Sequence, residues 1–480
     1  MQGLELHRYE LFGRRMVLNV ASCACMFLDD VSDAVLDLND RDRAGQAVYE
    51  ALGHRYSKRQ ISTALQKLEK NGIFSTKPAP LVTETYGSCK SLTLTLNVCQ
   101  SCNLRCRYCY IDKEVLSRTW RMNRRVAHQA VDFVLRENPT AEKLGISFYG
   151  GEPLLNFDTI RDTITYANQR AAEHGLPAVE YHLSTNGTLL RNEIVNFLAG
   201  QNINVLVSLD GPARIHDAMR VDSAGHATHA KVVRAVRQLL AVRGSLSVSA
   251  SAVITQGRRL IDTYYYLRDA GFEDLKISYV RYRHGEFFEL DDSTKDRYIA
   301  DLRQIALDYL AHLQRGRRPA YYEFNRRILH LWTKTRRIDF CPAGESRYGV
   351  SPDGGIFPCG PAACMGYTSL GSLERGLDNE AVRRFLDQND ISASPACQQC
   401  WGRYLCGGGC PLPLVKGSAN NCDITLEITR LAIYIYLTMR ESHEFLLSVL
   451  VDEKLPAYVA ELVRSGLEPE KAQCKQQLPM

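Results

Sequence analysis

Three cysteines, Cys102, Cys106 and Cys109, stand in one short run, Cys-Asn-Leu-Arg-Cys-Arg-Tyr-Cys, separated by three residues and then by two. They follow an apolar strand-like stretch, Leu92 to Val98, so a single tight loop can bring all three thiols to one small inorganic core. A [4Fe-4S] cube suits that geometry, and it takes four ligands. Three thiols leave one iron open, where a small molecule can chelate and receive an electron. A second clump lies far along the chain: Cys341, Cys359 and Cys364, then Cys397, Cys400, Cys406 and Cys410, and finally Cys422. Pro352-Asp-Gly-Gly355 supplies a hairpin turn between the first two. A zinc ribbon needs two CxxC-like pairs, and only Cys397 and Cys400 have that spacing. Sixteen cysteines in a reducing compartment argue for cluster or metal ligation over disulfides. Cys99, just ahead of the first triad, reads as a small buried residue.

The elements that must position these thiols are legible in the periodicity. From Ser91 to about Ser278 strands alternate with helices: Leu92 to Val98, Leu144 to Tyr149, Val179 to Ser184, Ile203 to Ser208, Leu246 to Ile254 and Leu275 to Tyr279 are strand candidates. Amphipathic segments such as Arg124 to Arg136 and Ala230 to Arg243 lie between them. Such units imply an α/β fold with a parallel sheet whose site lies at the carboxyl ends of the strands. Ahead of this body, short strands from Leu6 onward and three helices describe a winged-helix-like module of about eighty residues. Ser57 is its candidate N-cap, Gly72 its helix stop, and Ile73 to Thr76 a returning strand. The third helix carries Lys58, Arg59, Lys67 and Lys70, which suits DNA binding, strand addition by a peptide, or a plain solvated face. Thr76 to Leu81 reads as a proline-stiffened linker.

Each special motif follows a strand. Gly150-Gly-Glu-Pro153 comes after the second, Ser184-Thr-Asn-Gly187 after the third and Ser208-Leu-Asp-Gly211 after the fourth, with His216, Asp217 and Arg220 soon behind. Singly each is a turn. Together, behind the three-cysteine loop with Tyr108 before its last thiol, they resemble a radical S-adenosylmethionine enzyme. That resemblance implies a partial (β/α)6 barrel in which S-adenosylmethionine fills the open iron and is cleaved to a 5′-deoxyadenosyl radical. It places Tyr108 by the adenine, Gly150, Gly151 and Glu152 by the methionine amino group, Asn186 and Ser208 near the ribose, Arg220 near the carboxylate and Ile254 as a further adenine neighbour.

The second clump resembles the SPASM extension of radical enzymes that modify ribosomally made peptides, which holds two auxiliary clusters, making three [4Fe-4S] clusters in all. By that resemblance Cys397, Cys400, Cys406 and Cys422 ligate the distal cluster, and Cys341, Cys359 and Cys410 the proximal one. Cys364 is the available fourth proximal ligand; otherwise that iron is open to a substrate thiolate. Sulfatase maturases are expected to carry an aspartate directly after the second of these cysteines, and here Gly360 stands there. The N-terminal pattern, His7-Arg-Tyr-Glu-Leu-Phe-Gly-Arg-Arg and Asp29-Asp-Val-Ser-Asp-Ala-Val-Leu, is similar to the leader-recognition module of thioether-forming maturases. It looks most like those acting on six-cysteine peptides and on the small subunit of quinohemoprotein amine dehydrogenase. The implied activity is thioether bonding between a cysteine sulfur and a carbon of another residue, such as Asp or Glu, in a precursor peptide or small cysteine-rich subunit. The implied partners are that leader-bearing substrate and a flavodoxin- or ferredoxin-type electron donor. Carbon–carbon crosslinking or epimerisation on the same scaffold, and an iron–sulfur DNA-binding regulator, are the competing readings.

The bounds are those of an ordinary protein. The chain has 480 residues, 45% hydrophobic and 24% charged, with a net charge of +5 that argues for neither nucleic acid nor membrane. No apolar run is long enough to span a bilayer and no signal-peptide core opens the chain, so a cytoplasmic location is expected. The expected domains are residues 1–80, 90–310, 335–430 and 431–480: recognition module, radical barrel, SPASM domain and C-terminal helices. Glu468 to Met480 are polar and expected to be mobile.

Overall fold

A computed structural model of the chain describes residues 4–38, 46–81, 91–111, 113–117, 119–242, 244, 246–272, 274–280, 288–412 and 422–440. The expected helices beyond residue 440 and the tail from Glu468 lie outside the described residues, as do Cys89 and Cys474.

The N-terminal module pairs β1 (Leu6–Leu11), β2 (Arg14–Asn19) and β3 (Cys25–Phe27) in an antiparallel sheet of that order. It adds α1 (Asp30–Asp37), α2 (Ala47–Leu52) and α3 (Lys58–Lys70). Ser57 and Gln60 form a reciprocal capping box at the start of α3, satisfying two amides that the helix itself leaves without partners. Val17, Val35, Val48, Ile61 and Leu68 fill a small core of their own. Ile73 to Thr76 do not return as a strand: Ile73 is wholly buried as a plug. The Asn19 side-chain amide donates to the carbonyls of Ile73 and Ser75 at 2.9 Å, which meets their hydrogen-bonding need without a ladder. Lys67 is spent on Asp29 at 2.8 Å, tying α3 to the cap of α1.

The body is a sheet of six parallel strands taken in chain order: β4 (Ser91–Cys99), β5 (Lys143–Gly150), β6 (Glu180–Thr185), β7 (Asn204–Ser208), β8 (Val248–Ile254) and β9 (Asp274–Tyr279). Helices such as Arg124–Glu137, Phe157–Glu173 and His229–Ala241 connect them. The sheet does not close. On the free side of β4 lies β10 (Arg347–Val350), also parallel, followed by the antiparallel β11 (Gly355–Phe357), β12 (Gly371–Ser372) and β13 (Gly376–Leu377). The C-terminal cysteine region therefore extends the same ten-stranded sheet.

Alternation divides the two faces. On β8, Val248, Ala250, Ala252 and Ile254 are buried in the apolar core, while Ser249, Ser251 and Val253 face the other way. That other face is polar: Thr95, Ser147, His182 and Asn204 form one row across adjacent strands, and Ser208, Ser251 and Lys276 another. Such a lumen suits a polar, hydrogen-bonding substrate. Among the described residues no helix is long and apolar enough to cross a membrane.

The N-terminal module rests on the C-terminal cysteine region. His7 stacks on Trp401 at 4.0 Å and 6°, Glu5 pairs with Arg403 at 2.7 Å, and Phe12 meets Tyr434 edge-on on the helix Cys422–Met439.

Candidate functional site

The loop after β4 is anchored along its length. Cys102 N–H donates to Leu116, Arg105 N–H to Val221 at 2.8 Å and Arg107 N–H to Met219 at 2.9 Å. Cys109 N–H closes back on the Cys106 carbonyl at 3.1 Å, which tightens the last four residues into a turn. The three thiols feel one another, and burial, with Glu152 and the neighbouring thiols, pushes Cys102 up to about 12. Burial likewise raises Cys106 to about 11, against the pull of Arg220. Buried thiolates crowded together need a strongly cationic partner, and an iron–sulfur cube is one. Among the described residues no three His, Cys, Asp or Glu side chains close tightly enough to hold a single metal ion. A cube binds each thiolate on a different iron and so takes a wider set.

The strand ends lock to this loop. Gly151 N–H donates to Cys99 at 2.7 Å and Glu152 N–H to Ser101 at 3.0 Å. Gly150 sits at φ +134°, and a Cβ there would fall onto the Cys99 carbonyl, so only glycine permits this approach. Glu152 is fully buried. Its carboxylate accepts from Leu154 N–H (3.1 Å), Thr185 Oγ1 (2.8 Å) and Asn186 N–H (2.7 Å). Burial raises it to about 7, and these hydrogen bonds oppose that rise. Its side chain thus fastens the end of β5 to the end of β6. Asn186 carries the linkage on, donating to Asn103 Oδ1 at 2.9 Å with Cys102 Sγ 3.8 Å away, while its own Oδ1 accepts from Thr188.

Across the loop, Arg220 and Asp210 form a buried ion pair at 3.0 Å, exposed only 9% and 1% at the side chains. Asp210 also accepts from the Tyr108 hydroxyl at 2.5 Å and from Val253 N–H at 3.1 Å. The Arg220 guanidinium lies 5.4 Å from the Tyr108 ring and 4.0 Å from Cys106 Sγ. Asp210 N–H donates to His216 Nδ1, His216 Nε2 meets Thr228 Oγ1 at 3.0 Å, and Thr228 Oγ1 donates to the Arg220 carbonyl at 2.7 Å. This chain of hydrogen bonds closes the 210–220 loop over a neutral imidazole.

Asp210, Tyr149, Tyr110 and Asn103 belong to this network although no motif in the sequence assigns them a role. The only signal for Asp210 was its place between Ser208 and Gly211. At the end of β8 the Ile254 side chain alternates to the outer face, and Val253 packs beside Tyr108 and Met219. Ser208 faces the lumen opposite Ser251.

The second set of thiols falls into two groups. Cys422 is acted on by Cys406, Cys400 and Cys397, and burial with these neighbours raises it to about 11. Cys359 is acted on by Cys341 and Cys410, and burial raises it to about 12. Cys364 stands between this group and the first loop. Burial, with Cys109 and Cys359 nearby, raises it to about 12, and it shares with Ile111 and Leu116 a small cluster against which Cys102, Cys109, Tyr110 and Tyr149 pack. The Tyr110 and Tyr149 hydroxyls share a 2.6 Å hydrogen bond in the same place. The five-residue helix Gly360–Cys364, which begins at Cys359, thus joins the two thiol groups. It is pressed onto β4: Asn97 Nδ2 donates to the Gly360 carbonyl at 3.0 Å. A Cβ on Gly360 would lie 3.3 Å from Thr95 Cβ and closer still to Thr95 Cγ2.

Comparison with known proteins agrees with this geometry. Residues 96–280 match the Radical SAM superfamily model. A cysteine-type anaerobic sulfatase-maturating enzyme of Clostridium perfringens is 24% identical over 341 residues, covering 68% of this chain and 90% of that protein. An uncharacterized protein of Methanocaldococcus jannaschii is 33% identical over 127 residues, 26% of this chain and 41% of that one. The chain thus spans less than half of that relative's length. The fold is that of anSMEcpe, solved with bound AdoMet and a peptide (TM-score 0.62, 21% identity, 73% of this chain and 99% of that one). Residues 96–280 of the chain thus carry a domain of the Radical SAM superfamily.

Proposed function

We propose that this chain is a maturase that forms thioether bonds within a ribosomally made peptide or small cysteine-rich subunit. One observation carries the reading: Cys341 and Cys410 both lie within electrostatic reach of Cys359, while Cys364 is buried with Ile111 and Leu116 in the cluster that Cys109 packs against. A proximal cluster held by those three cysteines would keep one position for a cysteine of the substrate. Cys397, Cys400, Cys406 and Cys422 would hold the distal cluster, and Cys102, Cys106 and Cys109 the cluster that binds S-adenosylmethionine.

When bound, these groups supply a carbon-centred radical that takes a hydrogen atom from a C–H bond and an acceptor for one surplus electron. The chain's own residues position the reactants. Asp210, Arg220 and Tyr108 fix one side of the cysteine loop, and Glu152 and Asn186 the other. The polar rows of the lumen receive the peptide, and the helix Gly360–Cys364 keeps the two thiol groups close. The N-terminal module, seated on Trp401 beside Cys400, recognises the leader segment of the substrate.

Gly360 supports this reading over formylglycine formation. The aspartate expected there in sulfatase maturases has no room, because the helix lies directly on Thr95. Per crosslink the peptide loses one hydrogen as an atom from carbon and one from sulfur as a proton with its electron. The test is co-production with a cysteine-rich precursor, followed by mass spectrometry. The expected product is two hydrogens lighter per bond and retains all its sulfur. An unchanged mass, or loss of sulfur, contradicts the proposal.

A further inference from the structure

Charge is placed unevenly on the inner face of the parallel sheet. Leu275, Ile277 and Tyr279 of β9 lie in the apolar core, so Asp274, Lys276 and Ser278 face inward. The same alternation turns Lys143 of β5 and Glu180 of β6 inward. Lys143, Glu180 and Asp274 each open their strand, at the end away from the cysteine loop. Lys276 stands further along, and among the described residues of β4 to β9 it is the one inward charge beyond a strand's first position. It pairs across the sheet with Ser251, and Ser251 with Ser208, so an ammonium and two hydroxyls form one row. Two residues further along, Val253 stands opposite Ser278 and packs beside Tyr108. The row therefore lies directly below the loop that holds Cys106 and Cys109.

The lysine is held in place without being neutralised. Leu275 bridges Tyr321 in parallel, and Leu275 N–H donates to the Ala320 carbonyl at 2.6 Å, which sets Tyr322 beside Lys276. The Lys276 ammonium lies 5.2 Å from the Tyr322 ring, a contact that orients a cation and leaves its charge intact. Asp274, two residues back on the same face, accepts from Leu275 N–H at 3.1 Å and lies opposite Ser249, one row further from the thiols. Lys276 itself is exposed. A solvated lysine on an outer surface needs no partner, but this one faces the space that a substrate must enter. Once a peptide covers it, the ammonium loses its water, and only a counter-charge brought by the peptide offsets that loss.

We propose that Lys276, with the hydroxyls of Ser208 and Ser251, forms a carboxylate subsite that holds an acidic side chain of the substrate and fixes which carbon is presented beneath the cysteine loop. The proposal rests on the thioether reading above and adds the residue that selects the carbon partner. The sulfur partner has a separate place, because the helix that begins at Cys359 is pressed onto β4 at Thr95 and Asn97. β4 and β9 are the two ends of the six parallel strands. A peptide laid across the inner face offers its cysteine to one end and its acid to the other. No bond forms or breaks at Lys276, whose part is orientation. An amide of the same shape leaves the ammonium without a counter-charge, so the subsite discriminates Asp from Asn or Glu from Gln.

The experiment uses the full-length, cluster-loaded enzyme and the precursor peptide whose crosslinked residue is identified by co-production and mass spectrometry. That peptide is compared with a version in which the acid is replaced by its amide. The ratio of the two kcat/KM values for crosslinking is measured in the unmodified enzyme, Lys276→Arg, Lys276→Met and Lys276→Gln. Each ratio is taken within one protein, so a loss of folded enzyme cancels. The unmodified enzyme prefers the acid about tenfold or more, Lys276→Arg keeps most of that preference, and Lys276→Met and Lys276→Gln bring the ratio close to one. Peptide binding, read by calorimetry, shows the same pattern. A ratio near one in the unmodified enzyme, a preference that survives in Lys276→Met and Lys276→Gln, or a crosslink at a residue that is not acidic overturns the proposal. So does weakened S-adenosylmethionine binding by Lys276→Met in equilibrium dialysis, which assigns the lysine to the cofactor's carboxylate. Absence of any product two hydrogens lighter from the unmodified enzyme instead overturns the thioether reading on which the proposal stands.

Discussion

Replacing Asp210 with alanine tests how the cysteine loop is held. The Asp210 carboxylate meets Arg220 at 3.0 Å, the Tyr108 hydroxyl at 2.5 Å and Val253 N–H at 3.1 Å, and it is 1% exposed. Without it the Arg220 guanidinium is left charged and buried. Breaking one side of such a pair costs about 3–5 kcal/mol, because the survivor has lost its water and gained nothing. Arg220 lies between the Met219 and Val221 carbonyls, which accept from Arg107 and Arg105 N–H. Loss of the pair should therefore open the loop itself. At 1.36 kcal/mol per factor of ten, exchange of the Arg105 and Arg107 amides should quicken roughly 150- to 5,000-fold. Hydrogen exchange read by mass spectrometry on the peptide covering residues 102–109 measures this. A second substitution, Arg220→Met in the same chain, removes the stranded charge and should restore much of the protection. Exchange accelerated less than about tenfold in Asp210→Ala, or a double variant as labile as the single one, would refute the argument.

Three further outcomes are expected. Burial, helped by Arg220, holds His216 down to about 3 from 6.5, so the unfolded chain binds the extra proton between those values. Stability is full above about pH 6.5 and falls by up to roughly 5 kcal/mol as pH drops through that window; denaturation followed against pH should show this slope flattened in His216→Asn. Gly360→Ala should lower the thermal midpoint, since forcing a methyl against Thr95 costs about 1–3 kcal/mol, and Thr95→Ser in the same chain should recover it. Cys364→Ala should leave the iron content of the purified enzyme unchanged while Cys359→Ala lowers it; equal losses would restore Cys364 as a proximal ligand.

Much of the barrel was legible because its signals are local. Leu92 to Val98 alternates apolar with polar residues at the period of a strand, and the observed strand Ser91–Cys99 differs only at its ends. The glycines and polar residues after each strand marked the rim of the site for the same reason. What could not be read depends on distance or register. Asp210 takes its meaning from Tyr108, 102 residues earlier. Nothing in Arg347 to Val350 announces a parallel strand beside β4. Val253 and Ile254 differ by one position, and the alternation that turns one to the lumen and the other to the core is fixed by pairing with β7 and β9. The strand expected at Ile73 failed because a single side chain, Asn19, satisfied the carbonyls a ladder would have served. Cys364 was visible as a thiol five residues past Cys359, but only the fold shows that the helix between them carries it into the cluster that Cys109 packs against.

The most direct test follows hydrogen from substrate to product. A precursor peptide carrying deuterium on the side-chain carbons of its acidic residues is incubated with the reduced enzyme and S-adenosylmethionine. Thioether formation predicts one deuterium in 5′-deoxyadenosine, a peptide lighter by one deuterium and one hydrogen per bond, and one cysteine fewer open to alkylation. A peptide of unchanged mass, deuterium-free 5′-deoxyadenosine, or a full complement of alkylatable thiols would contradict it.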